Sequence, residues 1–182
     1  MKKFYFLLLI ILFNSEVQAS EKDKIIENLK NIKNIIFNFE QNINNEIEKG
    51  VCTIQYPKKI FCKYNSANQK ILVSDGKLLA IKTLSSYYLY SLNQTPLEFI
   101  LDKEFLIKRI NNADQRIVDD KYINFSFTEN QNEINLFFDN KNFNLIGWQT
   151  KDMYQNLSIT FLNSIVKNQK LKKGIFQIPE RG

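Results

Sequence analysis

The sequence predicts a mainly β protein: one large, curved, antiparallel sheet carrying two small groups of short helices. Three observations carry this. Residues 50–81, GVCTIQYPKKIFCKYNSANQKILVSDGKLLAI, alternate apolar and polar side chains around two turn signals, Pro57 and Asp75-Gly76. They read as four strands in a row, 51–56, 60–64, 70–74 and 77–81. The same alternation returns in Ile123, Phe125 and Phe127 and in Ile134, Leu136 and Phe138. Helical spacing is confined to two short places, near 21–36 and 95–110. No repeat or long linker divides the 182 residues, which suit one domain of ordinary size.

In chain order, the first segment reads as a targeting signal. Lys2 and Lys3 precede an apolar run, 4–13, and Val17-Gln18-Ala19 places small residues where a signal peptidase reads. Cleavage after Ala19 is expected, leaving 20–182 as the domain. The run is well short of the ~20 residues of a membrane-spanning helix. No cysteine lies near the cleavage site, which excludes a lipid-modified N-terminus, so a soluble exported protein is expected.

Ile25, Leu29, Ile32 and Ile36 then recur at helical spacing and form an apolar stripe. Phe37 and Phe39 alternate with polar neighbours in a first strand that runs to Ile43, and NNEIEKG (44–50) reads as the turn into the meander. In the meander Cys52, Ile54 and Tyr56 share a face, and a turn at Pro57 brings Ile60, Cys62 and Tyr64 onto it. After a strand at 87–91, Thr95 as N-cap and Pro96 at the first helical position start a short helix with Leu97, Ile100 and Leu101 on its apolar side. A second helical piece is expected at 103–110, ended by Asn111-Asn112. Strands are expected at 114–119, 122–128, 133–139, 143–148, 157–161 and 175–178.

Composition narrows the chemistry. Hydrophobic residues make up 44% and charged residues 24%, enough to bury a core. There is no histidine, which removes the commonest metal ligand and the side chain that titrates near neutrality. Neither a cofactor nor an enzymatic activity is expected. Ser74-Asp75 has the form of a catalytic pair, but Ser-Asp-Gly between two strands is a hairpin turn. The net charge of +6 is dispersed, so Lys58-Lys59 and Lys172-Lys173 read as solvated surface and no nucleic-acid partner is expected. In an oxidising compartment Cys52 and Cys62, near-opposite on paired strands, are expected to form a disulfide; the alternative is two buried thiols. If the apolar faces of the strands curl inward, they enclose either a fully packed core or a ligand cavity lined by aromatic and aliphatic side chains.

Several short motifs then stand in a telling order: FNFEQ at 37–41, Gly50 followed by a strand ending at Pro57, KILVSDGKLL at 70–79, QTPLEFIL at 94–101, LIGWQTKD at 145–152 and LKKGIFQIP at 171–179. Together they resemble the periplasmic outer-membrane lipoprotein carrier family, LolA, over residues 20–178, nearly the whole of the expected mature chain. The resemblance implies an incomplete, open antiparallel β-barrel whose mouth is covered by a helical lid. It also implies a monomer that binds the acyl chains of lipoproteins, receives them from an inner-membrane ABC transporter and passes them to an outer-membrane acceptor. The absent N-terminal Cys favours carrier over acceptor. A sensor or scaffold domain on the same half-barrel is the competing reading.

Carried over by position, the resemblance places Ile25, Leu29, Ile32, Leu97 and Ile100 in the lid. Phe39, Ile54, Phe61, Tyr64, Val73, Leu79, Phe125, Phe138 and Trp148 are its sheet-side cavity candidates. The residue before the hairpin proline is commonly an Arg that ties the lid shut; here it is Tyr56. Either Lys58 or Lys59 substitutes, or apolar packing at Tyr56 closes the lid, and the second is expected because both lysines sit at a turn where solvation is cheap.

Overall fold

The computed structural model describes residues 19–152 and 155–181, so the predicted leader, apart from Ala19, lies outside the described residues. The strands are β1 (Asn34–Ile43), β2 (Glu46–Gln55), β3 (Lys59–Tyr64), β4 (Ile71–Asp75), β5 (Leu78–Lys82), β6 (Tyr87–Ser91), β7 (Gln115–Val118), β8 (Tyr122–Glu129), β9 (Asn132–Asp139), β10 (Leu145–Lys151) and β11 (Leu157–Lys167). All lie in one 11-stranded sheet, in the order β6-β5-β4-β3-β2-β1-β11-β10-β9-β8-β7. Every pairing is antiparallel, and β6 and β7 are edges that never meet. The sheet is therefore open rather than a closed barrel. Its seam is β1 against β11, which sets Phe39 opposite Leu162 and Gln41 opposite Thr160.

Three helices cover the concave face: α1 (Glu21–Asn31), α2 (Leu97–Ile100) and α3 (Lys103–Asn112). A capping box starts α1, in which the Ser20 hydroxyl accepts from the Asp23 N–H and the Asp23 carboxylate accepts from the Ser20 N–H. The helix stops at Asn31, so Ile36 belongs to β1 rather than to the helical stripe. Asp102 caps α3 by accepting from the Phe105 N–H. Lys103 donates to the carbonyls of Lys30 and Ile32 at the end of α1. Thr95 does not cap α2 as predicted: it is buried, a 3₁₀ turn at Leu92–Gln94 precedes it, and its hydroxyl donates to the Leu92 carbonyl.

Two sequence expectations fail on turns. Residues 44–50 are not one turn, because Asn44 and Asn45, both at positive φ, close a tight hairpin and β2 begins at Glu46. Paired positive φ is what a two-residue hairpin of the favoured hand requires, and Asn tolerates it best after Gly. Asn130-Gln131 joins β8 to β9 in the same way. Nor is 175–178 a strand. The segment after β11 is anchored where Asn34 and Asn168 bond. It then crosses the convex face, setting Leu171, Phe176 and Ile178 beside Gln55, Lys59 and Asp75, and Lys82 holds the Glu180 carbonyl.

A second difference is one of strand phase. Phe61, Val73 and Ala80 are mutual cross-strand partners, out of phase with the core residues Cys62, Leu72 and Leu79. Val73 is buried, but on the convex side. Phe61 and Val73 are thus removed from the cavity candidates.

Cys52 and Cys62 are directly opposed on β2 and β3 and joined by a disulfide, with both residues buried on the concave face. The bridge closes a loop with a sequence separation of 10. Replacing both cysteines by alanine is expected to cost about 2 to 3 kcal/mol in the chain-entropy picture, read as a lowered urea midpoint. Thiol titration of the parent under denaturant should find no free cysteine.

Candidate functional site

The concave face is divided. Under α1 and α3 it is solid, where Ile25, Leu29, Leu106 and Ile110 join Phe125 and Phe138 in one core and none is more than 1% exposed. Under α2 it is not. There a recess of about 270 Å³ opens between the inner faces of β1, β3–β6, β10 and β11 and the segment that starts α2. Leu72, Leu79, Ile81 and Tyr90 form one wall, Pro96 and Leu97 the roof, and Trp148 part of the opposite wall. A chamber of about 40 Å³ continues inward past Phe39, Ile60 and the disulfide. The sequence left packed core and cavity as alternatives; the structure uses one in each half.

The wall opposite β4–β6 is polar in one place. Gln41 follows Phe37 and Phe39 at the two-residue period and so faces inward, beside Ser158 and Thr160 of β11. Its amide donates to Ser158 Oγ at 3.1 Å and to Thr160 Oγ1 at 3.2 Å, and its carbonyl accepts from the Tyr64 hydroxyl at 3.4 Å. Burial, with the nearby charge of Glu48, pushes the Tyr64 phenol well above its ordinary range, so the hydroxyl stays a donor. At the rim Lys70 pairs with Glu48 at 2.6 Å and lies 4.2 Å above the Tyr64 ring. These polar groups keep the recess from being uniform oil.

The roof is fastened from the β2–β3 turn. Lys58 donates its backbone N–H to the Leu101 carbonyl at 2.7 Å, and its ammonium reaches Glu98 at 2.9 Å and Asp102 at 3.5 Å. The hydrogen bond to Glu98 chiefly holds the Lys58 ammonium above its usual value; burial opposes it, and the charges of Glu98 and Asp102 add to it. Ser74, fully buried, donates its hydroxyl to the Lys58 carbonyl and accepts from the Gly76 N–H. Asp75 accepts from Lys77 and Leu78, so the Ser74-Asp75 pair is spent on turn geometry.

Of the residues named from sequence, the structure brings Phe39, Tyr64, Leu79, Leu97 and Trp148 together around the recess. Ile25, Leu29, Ile32, Ile54, Ile100, Phe125 and Phe138 are buried core that lines neither chamber. Tyr56 packs against that core, and burial pushes its phenol well up. Lys58 meets Glu98 and Asp102 beside the apolar packing expected of Tyr56, whereas Lys59 lies on the convex face. The turn does not leave Lys58 in water because Glu98 of α2 and Asp102, the N-cap of α3, both reach its ammonium. Both acids were visible in the sequence. Gln41 was equally visible as a polar residue in an inward phase.

The family model described as outer membrane lipoprotein carrier protein LolA matches residues 30–179. No curated protein matches the chain. Among solved structures, a LolA superfamily protein from Nitrosomonas europaea aligns at 11% identity with a TM-score of 0.44, over 88% of this chain and 99% of that one. MucB aligns at 8% identity with a TM-score of 0.50, over 87% of this chain and 62% of that one.

Proposed function

Because the chain belongs to the LolA family of outer membrane lipoprotein carriers, we propose that it carries lipoproteins across the periplasm with their acyl chains sheltered beneath α2. In this reading it receives them from an inner-membrane ABC transporter and yields them to an outer-membrane acceptor. The observation that supports it is an apolar recess on the concave face, roofed by a short helix fastened at one end. Each acyl CH₂ is worth ~0.8 kcal/mol on burial, so acylated cargo leaves a membrane only into such a shelter. No step makes or breaks a covalent bond, and none needs a nucleophile or cofactor.

At about 270 Å³ the recess falls below the ~300–1,000 Å³ typical of ligand pockets, so in this reading loading displaces α2. An environment-sensitive acyl probe is expected to bind and to be displaced by a lipopeptide. Leu97→Glu places a charge in the roof, outside the sheet, and is expected to abolish binding while leaving the far-UV circular dichroism unchanged. Normal binding by that variant would remove α2 from the site.

A further inference from the structure

We infer that the polar wall formed by Gln41, Ser158 and Thr160 reads the ester and amide carbonyls at the heads of acyl chains, so that the recess selects acylated cargo over plain hydrocarbon. This rests on the carrier reading above and adds a recognition element to it.

The placement is specific. Along the β1–β11 seam, the Phe39–Leu162 pair is apolar, the next inward-facing pair is Gln41–Thr160 and the next is Ile43–Ser158. On β10 the same rows end in Trp148 and Thr150. Phe39 lines the inner chamber, while Ser158 and Thr150 line the outer recess with Lys151 and Asp152. Gln41 borders both spaces, with Thr160 on the inner side and Ser158 on the outer. An acyl chain that fills the recess once α2 is displaced brings its carbonyl to this wall, with the remainder of the cargo outside.

The chemistry is directional as well. Thr150, Ser158 and Thr160 are at most 8% exposed, in a face whose other members include Phe39, Ile43, Trp148 and Leu162. Burying hydroxyls in such a place is costly unless they find partners. For Ser158 and Thr160 the Gln41 amide is that partner, as the donor to both. Each hydroxyl accepts one bond from the amide and keeps its own hydrogen to give. What fits is a group that only accepts, and an ester or amide carbonyl is such a group. An ether oxygen at the same position offers a much weaker acceptor, and a methylene offers none. The Tyr64 hydroxyl, donating to the Gln41 carbonyl, fixes which way the amide faces.

The test compares two lipopeptides of equal chain length, one with ester-linked chains and one with ether-linked chains, as competitors of a bound acyl probe. The parent protein is expected to prefer the ester form by about two- to tenfold for each hydrogen bond gained. The double variant Ser158→Ala/Thr160→Val, close to isosteric, is expected to lose the preference between the two forms. Thermal melting checks that it folds, and Gln41→Leu is a second route to the same loss. Equal affinity of the parent for both lipopeptides overturns the inference while leaving the carrier reading intact, as does a preference that survives in both variants. A parent that binds neither lipopeptide overturns the carrier reading and this inference with it.

Discussion

Gly50→Ala is expected to lower the unfolding free energy by about 3 kcal/mol, at the upper end of what overpacking costs. An added Cβ would stand 2.2 Å from the Lys63 carbonyl oxygen, 2.9 Å from Tyr64 Cα and 2.8 Å from Phe39 Cε1. Two of those atoms are backbone of the paired strand, so they cannot rotate away. Relief requires β2 and β3 to separate just where the disulfide and the Phe39–Tyr64 edge contact hold them. Glycine is needed here for close approach rather than for an unusual φ, and the Phe39 ring covers the gap it leaves. A urea titration should show a lowered midpoint at an unchanged slope. A midpoint equal to that of the parent would mean that the strand pair yields.

This residue also shows where sequence reading succeeds and where it stops. Gly50 was legible as a fixed point, but its role was read as the end of a turn, because Asn44-Asn45 gives a weaker turn signal in an Asn-rich chain. The alternation in the meander and in β8 and β9 was legible because each strand buries one face against a core that the period-2 pattern alone reveals. What the pattern could not reveal was the covering of the convex face. Val73 is as buried as Ile54, yet on the opposite face, the one crossed by a segment about a hundred positions further along the chain. No local signal distinguishes a residue buried on the concave face from one buried on the convex face. The same limit applied to the cavity. Ile25 and Leu97 carry similar apolar-stripe signals, but α1 has α3 packed beside it over Phe125 and Phe138, whereas α2 spans a gap. Which helix seals and which merely roofs is decided by tertiary contacts.

On the carrier function proposed above, Lys58→Ala is expected to loosen the roof and to slow delivery of cargo. The ammonium is about one-third exposed and meets two carboxylates of α2 and its C-terminal end, so the contact is worth about 1 kcal/mol, the upper end for exposed pairs. That corresponds to about a fivefold shift of the lid equilibrium toward open. Because the closed, empty state competes with the loaded one, its loss should raise the affinity for an acyl probe by about the same factor and hold cargo back from an acceptor. Lysine whose value is raised on folding contributes stability that is fully present below the ordinary lysine value and is lost as pH climbs through the raised one. The Lys58 side of the latch should therefore be constant through neutral pH and fail only in strong alkali. Salt should narrow the difference between parent and variant by screening the pair. Lys59→Ala, on the convex face, should transfer cargo as the parent does. Tyr56→Ala removes packing against the core and should change stability as well as transfer, which separates it from a pure latch defect. A double-mutant cycle between Lys58→Ala and Glu98→Ala, read by probe affinity and by amide exchange in α2, isolates the pair. A coupling of zero would show that the roof is held by apolar contact alone, as the turn's exposure first suggested.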